Sequence, residues 1–448
     1  MTAPSEPTIF ALASAPGRAG VAVVRISGTG AGRVLDLMAA PRPEPRRAAG
    51  RFIRHPASAE KLDRGVVLWF PAPKSFTGED VVELHLHGGR AVVQAVLAAL
   101  ALVPGLRMAE PGEFARRAFE AGKLDLAEVE GLADLIDAET EGQRRQALAQ
   151  ASGALSDLYD GWRASLIDAL GLIEAGLDFA DEADIGAQTF SEATAIVTTL
   201  HQAMTDHLDD GHRGEILRDG FRVALTGLPN AGKSSLLNLL ARRDAAIVSA
   251  EAGTTRDVIE VRLDLKGMPV VVSDTAGFRE AVGEVEREGI RRSLEVAKAA
   301  DLVLWLTDAT GPRTTMPAAL ADVADRALLV LNKVDLLPGG TAPVLPDDMV
   351  PLSVKTGEGV AALIERLQVI ATERIGHPGG AVLTQVRHRR LVEEARDHLA
   401  AFLGGPAGDV ELRAEDLRRA ADSLGRVTGR VDVEDVLDRI FGRFCIGK

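Results

Sequence analysis

The feature that most constrains this chain is Gly-Leu-Pro-Asn-Ala-Gly-Lys-Ser at 227–234. It lies between a strand pattern, Phe221-Arg222-Val223-Ala224-Leu225-Thr226, and a helix pattern, Ser235-Leu236-Leu237-Asn238-Leu239-Leu240. This is GxxxxGK[ST] in strand–loop–helix context, a phosphate-binding loop. Its glycines let backbone N–H groups curl around phosphates, and the helix N-terminus adds positive potential. A nucleotide-binding α/β domain is expected around it, and residues 220–372 alternate strand and helix patterns as a parallel sheet with helices on both faces requires. The spacing predicts that Lys233 reaches the β- and γ-phosphates and that Ser234 binds Mg²⁺. Asn230, Ala231, Gly232 and Ser235 complete the predicted phosphate contacts.

Further elements follow in the order such a domain needs. Gly253-Thr254-Thr255-Arg256-Asp257 offers a threonine hydroxyl to Mg²⁺, with Thr255 the choice. Val270-Val271-Val272-Ser273 is a strand pattern ending in Asp274-Thr275-Ala276-Gly277. There Asp274 is expected to hold the metal through water and the Gly277 N–H to sense the γ-phosphate. A second apolar strand, Leu328-Leu329-Val330-Leu331, ends in Asn332-Lys333-Val334-Asp335. A carboxylate at Asp335 accepts hydrogen bonds from guanine N1–H and N2–H₂, which adenine cannot supply, and such a mismatch is strongly rejected. Ser353-Val354-Lys355 supplies the expected backbone contact to guanine O6. The chain reads as a GTPase.

How it hydrolyses GTP is less direct. The position where Ras-type enzymes place a water-orienting glutamine is Phe278. Arg256 and Arg279 are the remaining candidates for an arginine finger. The amide oxygen of Asn230 and carbonyls in Ser249-Ala250-Glu251-Ala252 can instead hold a monovalent cation, K⁺, at the β–γ bridge. A hydrogen bond of Asn230 within its own loop is the alternative. Glu284 and Glu286 are both candidates to orient water.

Length and composition bound the rest. The chain has 448 residues, enough for two to four domains, and a 46% hydrophobic share able to build sizeable cores. Net charge is −14, which argues against an overall basic surface; an RNA partner then requires basic residues clustered locally, or help from a second protein. Cys445 is the one cysteine, so no intramolecular disulfide forms. No apolar run reaches the roughly 20 residues of a membrane span, and the N-terminus lacks a signal-peptide pattern. The expected location is the cytoplasm, with no membrane partner.

Val21–Ile26, Gly65–Phe70 and Val81–His87 read as strands and 90–102 as a helix, an α+β domain. Leu155, Leu158, Trp162, Leu166, Leu170, Ile173 and Leu177 form one apolar stripe of a long helix. Asp181-Glu182-Ala183-Asp184 reads as an interruption, 191–210 as a second helix, and the chain is helical again after 384. The expected domains are 1–120 (α+β), 121–218 with 373–448 (helical), and 219–372 (the inserted P-loop, Ras-like G domain).

Asn-Ala-Gly-Lys-Ser at 230–234, Gly-Thr-Thr-Arg-Asp at 253–257, Ser-Phe-Thr-Gly-Glu-Asp at 75–80, His-Gly-Gly at 87–89 and the terminal Phe-Cys-Ile-Gly-Lys together resemble the MnmE (TrmE) family of bacterial tRNA modification GTPases. The resemblance spans essentially the whole chain. It implies an FAD-dependent partner, MnmG (GidA), in a heterotetramer. It further implies addition of a carboxymethylaminomethyl or aminomethyl group to carbon 5 of the wobble uridine of certain tRNAs. The first domain would resemble folate-binding domains, form the homodimer, and bind a 5-formyl- or methylene-tetrahydrofolate one-carbon donor through Arg25, Glu83, Lys123 and Lys448. Cys445 would stand near the one-carbon unit. G domains would pair when GTP and K⁺ are bound, with Asn230, Ser249, Glu251 and Thr254 on K⁺ and Glu286 positioning water. Ser249, Thr254, Thr275 and Ala276 would also line the nucleotide. The alternative function is a regulatory G protein, RNA- or ribosome-associated, acting as a switch.

Overall fold

The computed structural model describes residues 7–178, 183–210, 212–228, 230–243, 245–247, 260–274, 294–311, 316, 318–337, 349–376, 381–406, 409–431, 434–442, 444 and 446–447. Met1–Ala133 with Gly425–Lys448 forms one compact unit, and Asp134–Leu424 forms another.

The first unit is built on a six-stranded sheet. Its strands are Thr8–Leu12 (β1), Ala19–Ser27 (β2), Ala49–Arg54 (β3), Lys61–Phe70 (β4), Val81–Gly88 (β5) and Leu106–Met108 (β6), in the order β3-β4-β5-β2-β1-β6. Every pairing is antiparallel except β1 with β6. Side chains alternate along β5: Val82, Leu84 and Leu86 are buried, while Glu83, His85 and His87 point to the other face. The helices Ala31–Met38 (α1) and Arg90–Ala101 (α2) close the apolar face, packing Val34, Leu35, Val96 and Leu100 against Val24, Ile26, Val67 and Trp69.

The three strands expected from sequence and the helix at 90–102 are present within a few residues. Not anticipated were β1, β3 and β6. The segment Thr-Ile-Phe-Ala-Leu of β1 is a short apolar run, buried at four of its five residues, without the alternation that marks a half-buried strand.

Glu113–Glu120 (α3), the start of Leu126–Asp137 (α4) and Glu434–Phe441 (α13) share a small core of Ala115, Leu126, Val129, Ile440, Phe441 and Phe444. The end of the chain then lies along this unit. Ile446 makes an antiparallel bridge to Pro111. Gly447 has φ +107°, and a Cβ there would stand 2.1 Å from the Leu12 carbonyl oxygen, so glycine is required on both counts.

The second unit contains the long helices Ala154–Asp178 (α6), Ala183–Leu208 (α7), Val386–Gly404 (α11) and, up to Leu424, most of Val410–Thr428 (α12). Leu155, Leu166 and Ile173 of the expected stripe are buried. The second helix starts earlier than expected: Ala183 and Asp184 are helical. Glu141–Ala151 (α5) was also unanticipated, although Thr140 and Gln143 form a full capping box, a signal readable as Thr-x-x-Gln. Arg213–Asp219 (α8) leads into the nucleotide-binding part.

That part has strands Phe221–Gly227 (β7), Glu260–Leu265 (β8), Met268–Asp274 (β9), Leu302–Asp308 (β10), Ala327–Asn332 (β11) and Met349–Pro351 (β12), ordered β12-β11-β10-β7-β9-β8. All neighbours are parallel except β8 and β9. Those two close through Lys266 (φ +54°) and Gly267 (φ +89°), a two-residue hairpin turn that only an antiparallel pair accommodates. Lys233–Ala241 (α9) and Val360–Ile375 (α10) pack on one sheet face; Ala297, Ala300, Leu320 and Val323 pack on the other. Among the described residues, no helix is long and apolar enough to cross a membrane.

Candidate functional sites for nucleotide and one-carbon donor

The sheet order turns at β7, which stands between β9 on one side and β10 on the other. Such a switch point leaves a crevice at the carboxyl ends of the strands, where ligands of open α/β sheets bind. The chain places Gly227, Asp274, Asp308 and Asn332 at those ends.

The phosphate loop is held by its own lysine. Lys233 Nζ donates to the carbonyls of Gly227 (3.0 Å) and Leu228 (2.8 Å). Its side chain is 9% exposed; burial pushes its pKa down, and the Asp274 carboxylate pulls the other way. Gly232 takes φ +98°, and a Cβ there would meet Asn332 Nδ2 at 2.3 Å. The loop backbone therefore passes directly against the Asn-Lys-Val-Asp segment.

Ser234 Oγ donates to Asp274 Oδ2 at 2.6 Å, and Asp274 is 1% exposed. A hydroxyl and a carboxylate meeting at the start of a helix are the hard oxygen donors Mg²⁺ takes, so the residues present fit that ion. Thr255, the second expected Mg²⁺ ligand, lies outside the described residues.

Asn332 is a tie between segments. Its Nδ2 donates to the Ala231 carbonyl at 2.7 Å, while its Oδ1 accepts from the backbone N–H of Lys333 (2.8 Å) and of Val354 (3.1 Å). One 2%-exposed side chain thus joins the phosphate loop, the Asn-Lys-Val-Asp turn and the Ser353–Lys355 segment. Asp335 accepts from Ser353 Oγ through Oδ1 at 2.7 Å, and among the described residues its Oδ2 carries no hydrogen bond. A fixed carboxylate with one oxygen left over suits the edge of guanine. Lys355 is exposed beside it.

Sequence reasoning missed Asp308. Lys333 Nζ meets Asp308 Oδ2 at 2.5 Å. Burial raises the Asp308 carboxyl, but hydrogen bonds from Lys333 and Thr310 hold it below its ordinary value. The available signal was an apolar strand, Leu-Val-Leu-Trp-Leu-Thr, ending in Asp, as β9 does.

Asn230 is exposed at φ +60°, and its side chain has no hydrogen-bond partner among the described residues. Ser235 is exposed on the first turn of α9. Ser249, Glu251, Thr254, Thr275, Ala276, Gly277 and Glu286 lie outside the described residues.

A second constellation occupies the sheet face of the first unit opposite α1 and α2. Arg25 and Glu83 are direct cross-strand partners. Arg25 Nε and Nη2 donate to Glu83 Oε1 at 3.2 and 3.0 Å, and His85 Nε2 lies 3.2 Å from Glu83 Oε2. The Arg25 guanidinium stands 5.3 Å from the Phe76 ring and 5.8 Å from that of Phe114. Lys123 runs beside Gly78, where a Cβ would come within 3.4 Å of its Cε. Arg25 and Lys123 thus both meet the Ser-Phe-Thr-Gly-Glu-Asp segment.

Beneath it, Arg117 Nη1 contacts both Glu79 oxygens at 3.1 and 3.0 Å, and Ser27 Oγ donates to Glu79 at 2.7 Å. His85, Glu79, Arg117 and Ser27 were not foreseen. The signal for His85 was its i+2 position from Glu83 on one strand. A carboxylate and two cations on this face fit a pterin edge and an anionic tail. Cys445 and Lys448 lie outside the described residues, but their neighbours Ile446 and Gly447 reach Pro111 and Leu12, and Leu12 pairs with Val24, next to Arg25.

Comparison with known proteins adds a family. A model described as MnmE helical domain matches residues 126–445, and one described as GTP-binding protein TrmE N-terminus matches residues 8–123. A relative from Paramagnetospirillum magneticum named tRNA modification GTPase MnmE is 54% identical over 98% of this chain and 99% of its own length. Relatives of the same name from Maricaulis maris and Parvibaculum lavamentivorans are 53% and 54% identical, each over 98% of this chain and 99% and 100% of their own lengths.

Proposed function

Because this chain belongs to the MnmE family of tRNA modification GTPases, it is a GTPase, and we propose that it uses GTP turnover to drive modification of the wobble uridine of certain tRNAs. The observation that carries the nucleotide half is the Asn332 tie together with the fixed Asp335 carboxylate, which couples guanine reading to the phosphate loop.

In this reading Ser234, Thr255 and Asp274 hold Mg²⁺, which offsets negative charge on the phosphates. Lys233 leaves its loop carbonyls for the β- and γ-phosphates. Asn230 with Ser249, Glu251 and Thr254 takes K⁺, and Glu286 orients water. Arg25, Glu83 and Lys123, with Lys448, hold a tetrahydrofolate derivative that supplies the one-carbon unit. Cys445 stands near that unit. The product is a carboxymethylaminomethyl or aminomethyl group on carbon 5, made with an FAD-dependent partner in a heterotetramer around a homodimer of this chain, in the cytoplasm. The working domains are 1–120, 121–218 with 373–448, and 219–372, the last of them pairing across the dimer in the GTP state and separating after hydrolysis.

The test is nucleoside analysis of tRNA from cells lacking the protein, complemented with the unaltered chain or with Glu286→Ala. Restored wobble modification by the unaltered chain alone supports the reading. Full modification without the protein, or with a variant that binds GTP and does not hydrolyse it, removes it. Turnover equal in Na⁺ and K⁺ removes the K⁺ role by itself.

A further inference from the structure

The chain carries a net charge of −14, yet residues 41–64 hold seven Lys and Arg against three Asp and Glu. The fold gathers several of these cations on β3 and β4, at the edge of the first unit's sheet. Lys61 Nζ stands 4.5 Å from the Phe52 ring centroid, and the guanidinium carbons of Arg64 and Arg54 stand 5.5 and 5.7 Å from it. Arg46 lies 5.8 Å from the Phe70 ring. Phe52 itself is 40% exposed.

All the carboxylates nearby but the exposed Glu60 are engaged elsewhere. Asp36 pairs with Arg42, Glu44 with Arg47, and Asp63 with His87. Arg46, Arg51 and Arg54 donate to backbone carbonyls of Lys74, Pro41, Gly50 and Ala59. Among the described residues, none of Arg46, Arg51, Arg54, Lys61 and Arg64 has an acidic partner. Three cations over one ring repel each other; the negative face of the ring offsets part of that, and a polyanion would remove the rest.

We propose that this Phe52-centred cluster is a surface for the phosphodiester backbone of tRNA. The assignment rests on the tRNA reading given above. Two observations favour RNA over an acidic protein face. Three cations around one exposed ring, none with an acidic partner among the described residues, fit successive phosphates. The cluster also shares its sheet face with the proposed one-carbon site: Phe52 pairs with Arg64, alternation carries that face along β4 to Leu68, and Leu68 pairs with Glu83, itself opposite Arg25. An RNA held at the sheet edge lies on the face where a base must arrive.

The experiment is tRNA binding by the full chain across a salt series, with Arg54→Ala/Lys61→Ala/Arg64→Ala and separately Phe52→Leu. The triple variant is expected to bind tRNA at least tenfold more weakly near 0.1 M salt, and its log K against log[salt] slope to fall by about 2, near 0.7 for each lost phosphate contact. Phe52→Leu keeps the charges and should cost about threefold. Far-UV circular dichroism and thermal melting of the first unit stay unchanged in both variants, showing that they fold, and GTP turnover is kept. If the unaltered chain binds no tRNA, the tRNA reading falls and takes this assignment with it. If it binds and the triple variant matches it within twofold, only this assignment falls. Loss of self-association in the triple variant with tRNA affinity kept would give the surface to a second copy of the chain and also overturn it.

Discussion

The two sites are built on opposite plans. In the second unit, the described candidate nucleotide residues sit at strand ends, in loops or in a first helical turn at the carboxyl edge of the sheet, and pair mostly with loop atoms: Lys233 on Gly227 and Leu228, Asn332 on Ala231 and Val354, Asp335 on Ser353. In the first unit, Arg25, Glu83 and His85 stand on the strands themselves and pair directly across the sheet. Loops at an edge can rearrange as phosphates come and go; side chains on a paired strand are fixed by register. The difference teaches that one site is made to change with its ligand and the other to present a constant surface.

The largest test of that contrast is Asp335→Asn. It should lower GTP affinity by as much as 10⁴-fold while raising affinity for xanthosine triphosphate, whose 2-carbonyl accepts from the new amide. Competition titration with both nucleotides reads this, and unchanged GTP binding would break the guanine assignment. Next is Lys233→Ala, expected to lower GTP turnover by about 10²–10³-fold while leaving 5-formyltetrahydrofolate binding alone. A parallel loss of folate binding would mean the two sites are not independent.

Glu83→Gln comes third. It strips the charge that faces Arg25, whose side chain is 23% exposed against 17% for Glu83, and should cost the first unit about 2 kcal/mol along with tenfold or more in folate affinity. Thermal melting and titration check both, and GTP turnover should not move.

The smallest effect is a pH slope confined to the second unit. His207 packs between Tyr159 and Trp162, and burial lowers its pKa to about 4. The unfolded chain therefore takes up that proton first, near pH 6.5. Stability is full above that value, falls as pH drops from about 6.5 toward 4, and levels off below, a loss on the order of 2 kcal/mol. None of the first unit's described histidines, His55, His85 and His87, is buried. Melting of the second unit alone should track pH in this window, and His207→Phe should flatten it; an equal slope in the first unit would contradict the assignment.

What could be read without coordinates follows from the same two plans. The phosphate-loop motif, the Ser234 hydroxyl that follows its lysine and the Asp335 carboxylate were legible because each is specified by neighbours within a few residues. Arg25 and Glu83 were reachable only through the family resemblance, since they are 58 positions apart and meet through strand register. Asn332 was placed in the nucleotide site, but its task of lacing Ala231 to Val354 was invisible, because those partners come from separate loops. The Phe52 cluster was foreseen only as a condition on RNA binding, that basic residues gather somewhere on an acidic chain.

The sequence by itself determined the chemistry of phosphate and guanine binding, because backbone amides, a lysine and a carboxylate act through local geometry that a short motif dictates. Only the tertiary structure decided which distant charges become neighbours: Glu83 between Arg25 and His85, Asp308 against Lys333, and three cations over one phenylalanine. Hydrophobic alternation sets which face a strand turns outward, but pairing register sets what stands opposite, and register is a property of the assembled sheet.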